Sequence, residues 1–94
     1  MFKVNEYFDG KVKSIGFTST RGAATTGAMA AGEYEFNTGK PEEIVITSGV
    51  AEVLIKGETA WTRYGAGGAF NVPGNSSFRI RVTADTTYLC YFIG

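Results

Sequence analysis

Two runs of strand-forming residues, each halted by a turn signal, bracket the middle of the chain and leave it little choice of architecture. The first is Ile44-Val45-Ile46-Thr47, closed by Gly49. It is β-branched throughout, which suits a pleated and largely buried strand. The second is Phe70-Asn71-Val72, stopped by Pro73, which cannot donate to a ladder, and by Gly74. Between them lie Val53-Leu54-Ile55, the turn Lys56-Gly57-Glu58 and Trp61-Thr62-Arg63-Tyr64. Hairpin follows hairpin, and this predicts a small closed β structure.

The flanking segments fit the same plan. Val12, Ile15 and Phe17 mark a strand over Lys11 to Phe17. Thr18 to Gly22 and Ala23 to Gly27 are small, hydroxyl-bearing and glycine-rich, and read as a loop. Ala28 to Ala31 reads as a strand running towards Gly32, and Glu33-Tyr34-Glu35-Phe36 alternates charge with aromatic at period two. Asn37 to Pro41 is a turn. Phe78-Arg79-Ile80-Arg81-Val82 puts three apolar residues on one face and two solvated arginines on the other, and Thr86 to Ile93 forms the last strand. No segment predicts a helix of ordinary length, so the expected class is all-β with a single domain over residues 1–94.

Size and charge narrow the function classes. A chain of 94 residues buries only about 60–65% of its extended surface. A second copy would add to so thin a core, and the arm Met1 to Asp9, carrying Tyr7 and Phe8, suits packing against a sheet or a partner subunit. Net charge is zero, which offers no electrostatic case for a nucleic acid or an anionic membrane as partner. Cys90 is the single cysteine and lies in the apolar run Tyr88-Leu89-Cys90-Tyr91-Phe92, where it reads as a small buried hydrophobe. The N-terminus lacks the apolar stretch of a signal peptide and no run reaches membrane-spanning length, so a cytoplasmic location is expected.

The two punctuated runs resemble the two motifs of the cupin family. Glu42 to Gly49 matches a first motif ending in Glu, six residues, Gly; Gly67 to Pro73 matches a second beginning Gly, five residues, Pro. The resemblance implies a double-stranded β-helix, or jelly-roll, barrel. It also implies three metal-binding His positions, but the matching region carries Phe36, Thr38 and Phe78, and the chain has no His. No metal or other cofactor is therefore expected.

Further stretches make the resemblance more specific. They are Asn5-Glu6-Tyr7-Phe8, Gly10 to Phe17, Gly32-Glu33-Tyr34, Pro41-Glu42-Glu43, Phe70 to Gly74 and Tyr88-Leu89-Cys90. Together they resemble the small cupin-type pyrimidine/purine nucleoside phosphorylases. That resemblance implies a homodimer and a broad phosphorolysis, in which nucleoside and phosphate give free base and pentose 1-phosphate.

Such chemistry needs phosphate below the anomeric carbon, a stabiliser for the cationic sugar and an oriented base. For phosphate the candidates are Ser19, Thr20 and Arg21 in the Thr18–Gly22 loop, with Lys13 as the alternative cation; a plain exposed loop is the competing reading. Arg21 and Glu42 are the candidate catalytic residues. By the motif match Glu42 faces the barrel interior, where it could stabilise the sugar; a rim ion pair is the competing reading, and a bulge would exchange it with Glu43. For the nucleoside the candidates are Phe36, Phe78 and Tyr88 by stacking, with ordinary core packing as the competing reading, Asn71 by a bond to a base edge or simply to the turn, and Thr38 in the region that matches the cupin His positions. With no His as general acid, a metal-free cupin that binds a nucleoside or small anion without turnover is the alternative function.

Overall fold

The computed structural model describes residues 1–94 and contains no helix. Its strands are β1 (Lys3–Tyr7), β2 (Val12–Ser19), β3 (Gly22–Met29), β4 (Gly32–Asn37), β5 (Glu42–Ser48), β6 (Ala51–Ile55), β7 (Thr62–Tyr64), β8 (Ala69–Val72), β9 (Ser77–Val82) and β10 (Thr86–Phe92). They form a six-stranded sheet, β1-β2-β3-β10-β5-β8, and a four-stranded sheet, β4-β9-β6-β7. Every pairing is antiparallel. The sheets face each other across one apolar core, with Val12, Ile46 and Val72 from the larger and Val53 and Ile80 from the smaller almost fully enclosed.

Period-two patterning explains which face each strand buries. On β9, Phe78, Ile80 and Val82 are buried, while Arg79 and Arg81 point outward and pair across the strands with Glu35 (3.8 Å) and Glu52 (2.9 Å). The Arg81 guanidinium also lies 3.9 Å over the Trp61 ring. The turns at the ends of the motif runs are tied together through Thr38. Its hydroxyl donates to the Pro73 carbonyl (2.7 Å) and accepts from the Ser76 N–H (2.9 Å). The N-terminal arm is an edge strand, paired only with β2.

One segment departs from its sequence reading. The stretch from Thr18 to Gly27 is a β-hairpin rather than an open loop: β2 and β3 pair from Val12↔Met29 to Ser19↔Gly22, leaving only Thr20 and Arg21 between them. Gly22, at φ 98°, takes the left-handed position that such a short turn requires. The Ser19 hydroxyl closes the turn, accepting from the Arg21 N–H (3.0 Å) and donating to the Gly22 carbonyl (2.8 Å). Within this hairpin Gly27 is closely covered by its neighbours. At Gly27 a Cβ would stand 2.5 Å from the Lys13 carbonyl oxygen and 2.8 Å from the Tyr88 hydroxyl. Local composition reads this as a loop because the neighbours that demand small residues come from β2 and β10.

Candidate active site

Between the sheets lies a cavity of about 500 Å³. One wall is aromatic and includes Tyr7, Phe8, Phe36 and Phe78. The opposite side is polar, with Ser14 from β2, Thr25 from β3, Tyr88 and Cys90 from β10, and Glu42 from β5. Register brings these groups together. Ser14 stands opposite Gly27 and Gly27 opposite Tyr88, while Thr25 stands opposite Cys90 and Cys90 opposite Ile44.

Glu42 faces this cavity and Glu43 does not. The bulge in the β5–β10 pairing falls beyond Ile46, so the lower part of β5 alternates regularly: Glu42 shares its face with Ile44 and Ile46. No cation pairs with Glu42. Its one side-chain partner is the Cys90 thiol, which donates to Oε1 at 3.3 Å. Burial pushes the Glu42 carboxyl above the usual carboxylate range, and the thiol hydrogen bond opposes that shift only in part. The Cys90 thiol is pushed up strongly, first by burial and then by the adjacent carboxylate, so it stays protonated as a donor. Tyr88 is raised to about 12, mainly by burial, with Ser14 acting in the opposite direction.

The Glu42 shift predicts a pH signature. The folded value lies above the ordinary 4.5, so the folded protein holds this proton more tightly than the unfolded chain does. The stability tied to it is complete below the unfolded value and is lost as pH rises through the raised folded value. Glu42→Gln removes the titration. Its melting temperature relative to the wild type should therefore be higher at about pH 8 than at about pH 4. A gap independent of pH across that range would show that Glu42 does not titrate abnormally.

Of the other sequence candidates, Phe36, Phe78 and Tyr88 line the cavity, and Arg21, Ser19, Thr20, Lys13, Thr38 and Asn71 do not. Arg21 sits on the outer face of the larger sheet, where it ion-pairs with Glu43 and lies 4.0 Å over the Tyr91 ring. Ser19 and Thr20 share its hairpin tip, and the Ser19 hydroxyl is committed to the turn. Lys13 alternates outward between Val12 and Ser14 and pairs with Glu6 at 3.3 Å. Asn71 is exposed opposite Glu43, and Thr38 is a buried turn brace. The hydroxyls of Ser14 and Thr25 and the Cys90 thiol were not anticipated as site groups. For Ser14 the signal was its inward parity with Val12; for the others it lay only in the pairing of strands.

A metal ion does not fit this donor set. Two of the three positions where cupins carry His hold phenyl rings without lone pairs, Phe36 and Phe78, stacked at 5.6 Å. The third is Thr38, bonded to backbone. No three His, Cys, Asp or Glu side chains come close enough to share an ion.

The two facing antiparallel sheets, joined in this order around a ligand-sized cavity, define a cupin-type protein. The chain superposes on an RmlC-like cupin from Shewanella frigidimarina with a TM-score of 0.73 at 16% identity, over 97% of this chain and 82% of the other. A protein of unknown function from Vibrio parahaemolyticus is far nearer, with a TM-score of 0.95 and 42% identity over 99% of each chain. Within that fold the chain belongs to the pyrimidine/purine nucleoside phosphorylase family, whose model matches residues 2–92. A relative of that name from Cronobacter sakazakii is 53% identical over 99% of this chain and 100% of its own length.

Proposed function

We propose that this protein is a broad-specificity nucleoside phosphorylase. It converts purine and pyrimidine nucleosides and phosphate to free base and pentose 1-phosphate, in the cytoplasm and without a metal or other cofactor. The observation that carries this reading is Glu42, an unpaired carboxylate facing a cavity of about 500 Å³ between an aromatic wall and a group of hydroxyls. Family membership supports it. A phosphate oxygen attacks the anomeric carbon, forming the new C–O bond. The C–N bond to the base breaks, and its electron pair leaves with the base, which takes up a proton. Glu42 stabilises the positive charge that develops on the sugar, and its partial desolvation strengthens that interaction. Within one copy the cavity is lined by no Lys or Arg, so Ser14, Thr25 and Tyr88 are the donors offered to phosphate or sugar oxygens. In this reading they take the place of the Thr18–Gly22 cradle, which lies outside the cavity.

The test is release of base from uridine and from adenosine, followed by ultraviolet absorbance with and without phosphate. Both nucleosides should yield base only when phosphate is present, and EDTA should leave the rate essentially unchanged. Loss of activity in EDTA, restored by one divalent ion, would overturn the metal-free part. Binding of nucleosides with no release would make the protein a binding module.

The active form is proposed to be a homodimer formed through the outer face of the larger sheet. The register aligns Val4, Ile15, Thr26, Leu89 and Val45 in one row across five strands there, and Val4 and Ile15 are exposed in the single chain. The outer face of the smaller sheet carries instead the charged row Glu33, Arg81, Glu52 and Arg63, which is already internally matched. Light scattering at micromolar concentration should give twice the chain mass of 10.1 kDa. A clean monomer would sink the proposal.

A further inference from the structure

We propose that Tyr7 and Phe8, at the end of β1, form with Phe36 the wall on which the nucleobase stacks. This rests on the nucleoside reading above and assigns the base subsite to residues that the sequence placed in a packing arm. Both rings line the cavity and gather around Phe36: Tyr7 at 5.9 Å and Phe8 at 5.6 Å, each nearly perpendicular to it. Phe8 also leans on Tyr34 at 5.0 Å.

Two observations separate these rings from ordinary core aromatics. The first is free surface. Tyr7 and Phe8 are 43% and 44% exposed, whereas Phe78 is 5% exposed and already stacked on Phe36. Tyr88 has its phenol end pressed against Gly27. Tyr7 and Phe8 are therefore far more exposed than Phe78. The second is backbone conformation. Phe8, Asp9 and Gly10 are consecutive left-handed residues, at φ 54°, 57° and 84°. Asp and Gly accept that region; a bulky Phe does not, because its Cβ meets the neighbouring carbonyl. The turn is held by a single backbone bond, Lys11 N–H to the Phe8 carbonyl at 3.2 Å. A large ring kept at a disfavoured backbone position and left half exposed is poorly explained by core packing, and such positions gather at ligand sites. Stacking also suits a planar heteroaromatic ligand of either size class, since purines and pyrimidines alike present a π face.

The experiment compares wild type, Phe8→Gly, Phe8→Tyr and Tyr7→Leu. Binding of uridine and adenosine is measured by calorimetry without phosphate, alongside both KM values, kcat and the melting temperature. Phe8→Gly should weaken both nucleosides about tenfold, the loss expected for one stacking face. It should leave the phosphate KM alone and the melting temperature unchanged or raised, because glycine accepts the left-handed backbone. Phe8→Tyr should bind like wild type, and Tyr7→Leu should weaken both nucleosides. If wild type binds nucleosides and Phe8→Gly binds them equally well, the stacking wall is wrong while the nucleoside reading stands. A lowered melting temperature with both KM values raised would make Phe8 a structural residue. If wild type binds neither nucleoside, the nucleoside reading itself fails and the wall with it.

Discussion

Glu42→Gln should lower kcat for uridine and adenosine by about 10²-fold or more while moving the nucleoside KM little. The neutral amide keeps the size of the carboxylate and can still accept the Cys90 thiol, so the cavity keeps its shape. What it loses is the charge that opposes the developing sugar cation. That attraction is strongest in the transition state, and removing it should therefore fall on kcat rather than on ground-state binding. The size follows from single electrostatic groups in other active sites, where removal costs about 10²–10³-fold. Steady-state kinetics with each nucleoside at saturating phosphate provides the check. A variant with normal kcat would reduce Glu42 to a buried carboxylate held by Cys90, and the site would need another stabiliser.

Gly27→Ala should unfold about 5–20 °C below wild type and lose most activity. The added Cβ would stand 2.5 Å from the Lys13 carbonyl oxygen and 2.9 Å from Cζ of Tyr88. The first of these is backbone, so β2 and β3 must move apart or the strand must twist. Overpacking of this kind costs roughly 1–3 kcal/mol. In a domain of this size each kcal/mol lowers the melting temperature by about 4–8 °C. The phenol of Tyr88 must swing out of the polar group as well, which disorders the site. Gly65→Ala is the control, since a Cβ there meets nothing within 4 Å and should be nearly neutral. In a Tyr88→Ala background Gly27→Ala should cost less, because one of its two clashes has gone. Equal melting of Gly27→Ala and wild type would show that the strands relax without effort and that Gly27 does not seat Tyr88.

The fold was legible wherever a local rule was enough. Phe78 to Val82 displays its inner and outer faces in five letters, because the side chains of a strand alternate and one face of each sheet meets water. The motif runs likewise announce their turns. Glu42 could be placed inward from the spacing of its motif, and its parity follows from Ile44 and Ile46 two and four residues on. The Thr18–Gly27 segment failed by the same logic. Its residues pair with strands on both sides, and Gly27 must be small for Lys13 and Tyr88, but nothing within the segment names those neighbours.

The period-two strands, the glycine and proline punctuation, and the lack of any imidazole at the positions where cupins bind metal can all be read from the chain of letters. These are properties of single residues and near neighbours. Which groups share the cavity is set instead by strand pairing. Ser14, Thr25, Glu42 and Cys90 come from four strands, and their meeting depends on register set by pairing between residues far apart in the chain. Strand pairing also sets the place of Arg21: the hairpin tip directs the guanidinium to the outer face, where Glu43 and Tyr91 hold it. A residue's type says what chemistry it can do, but the face it occupies depends on strand parity, and its companions depend on non-local hydrogen bonding.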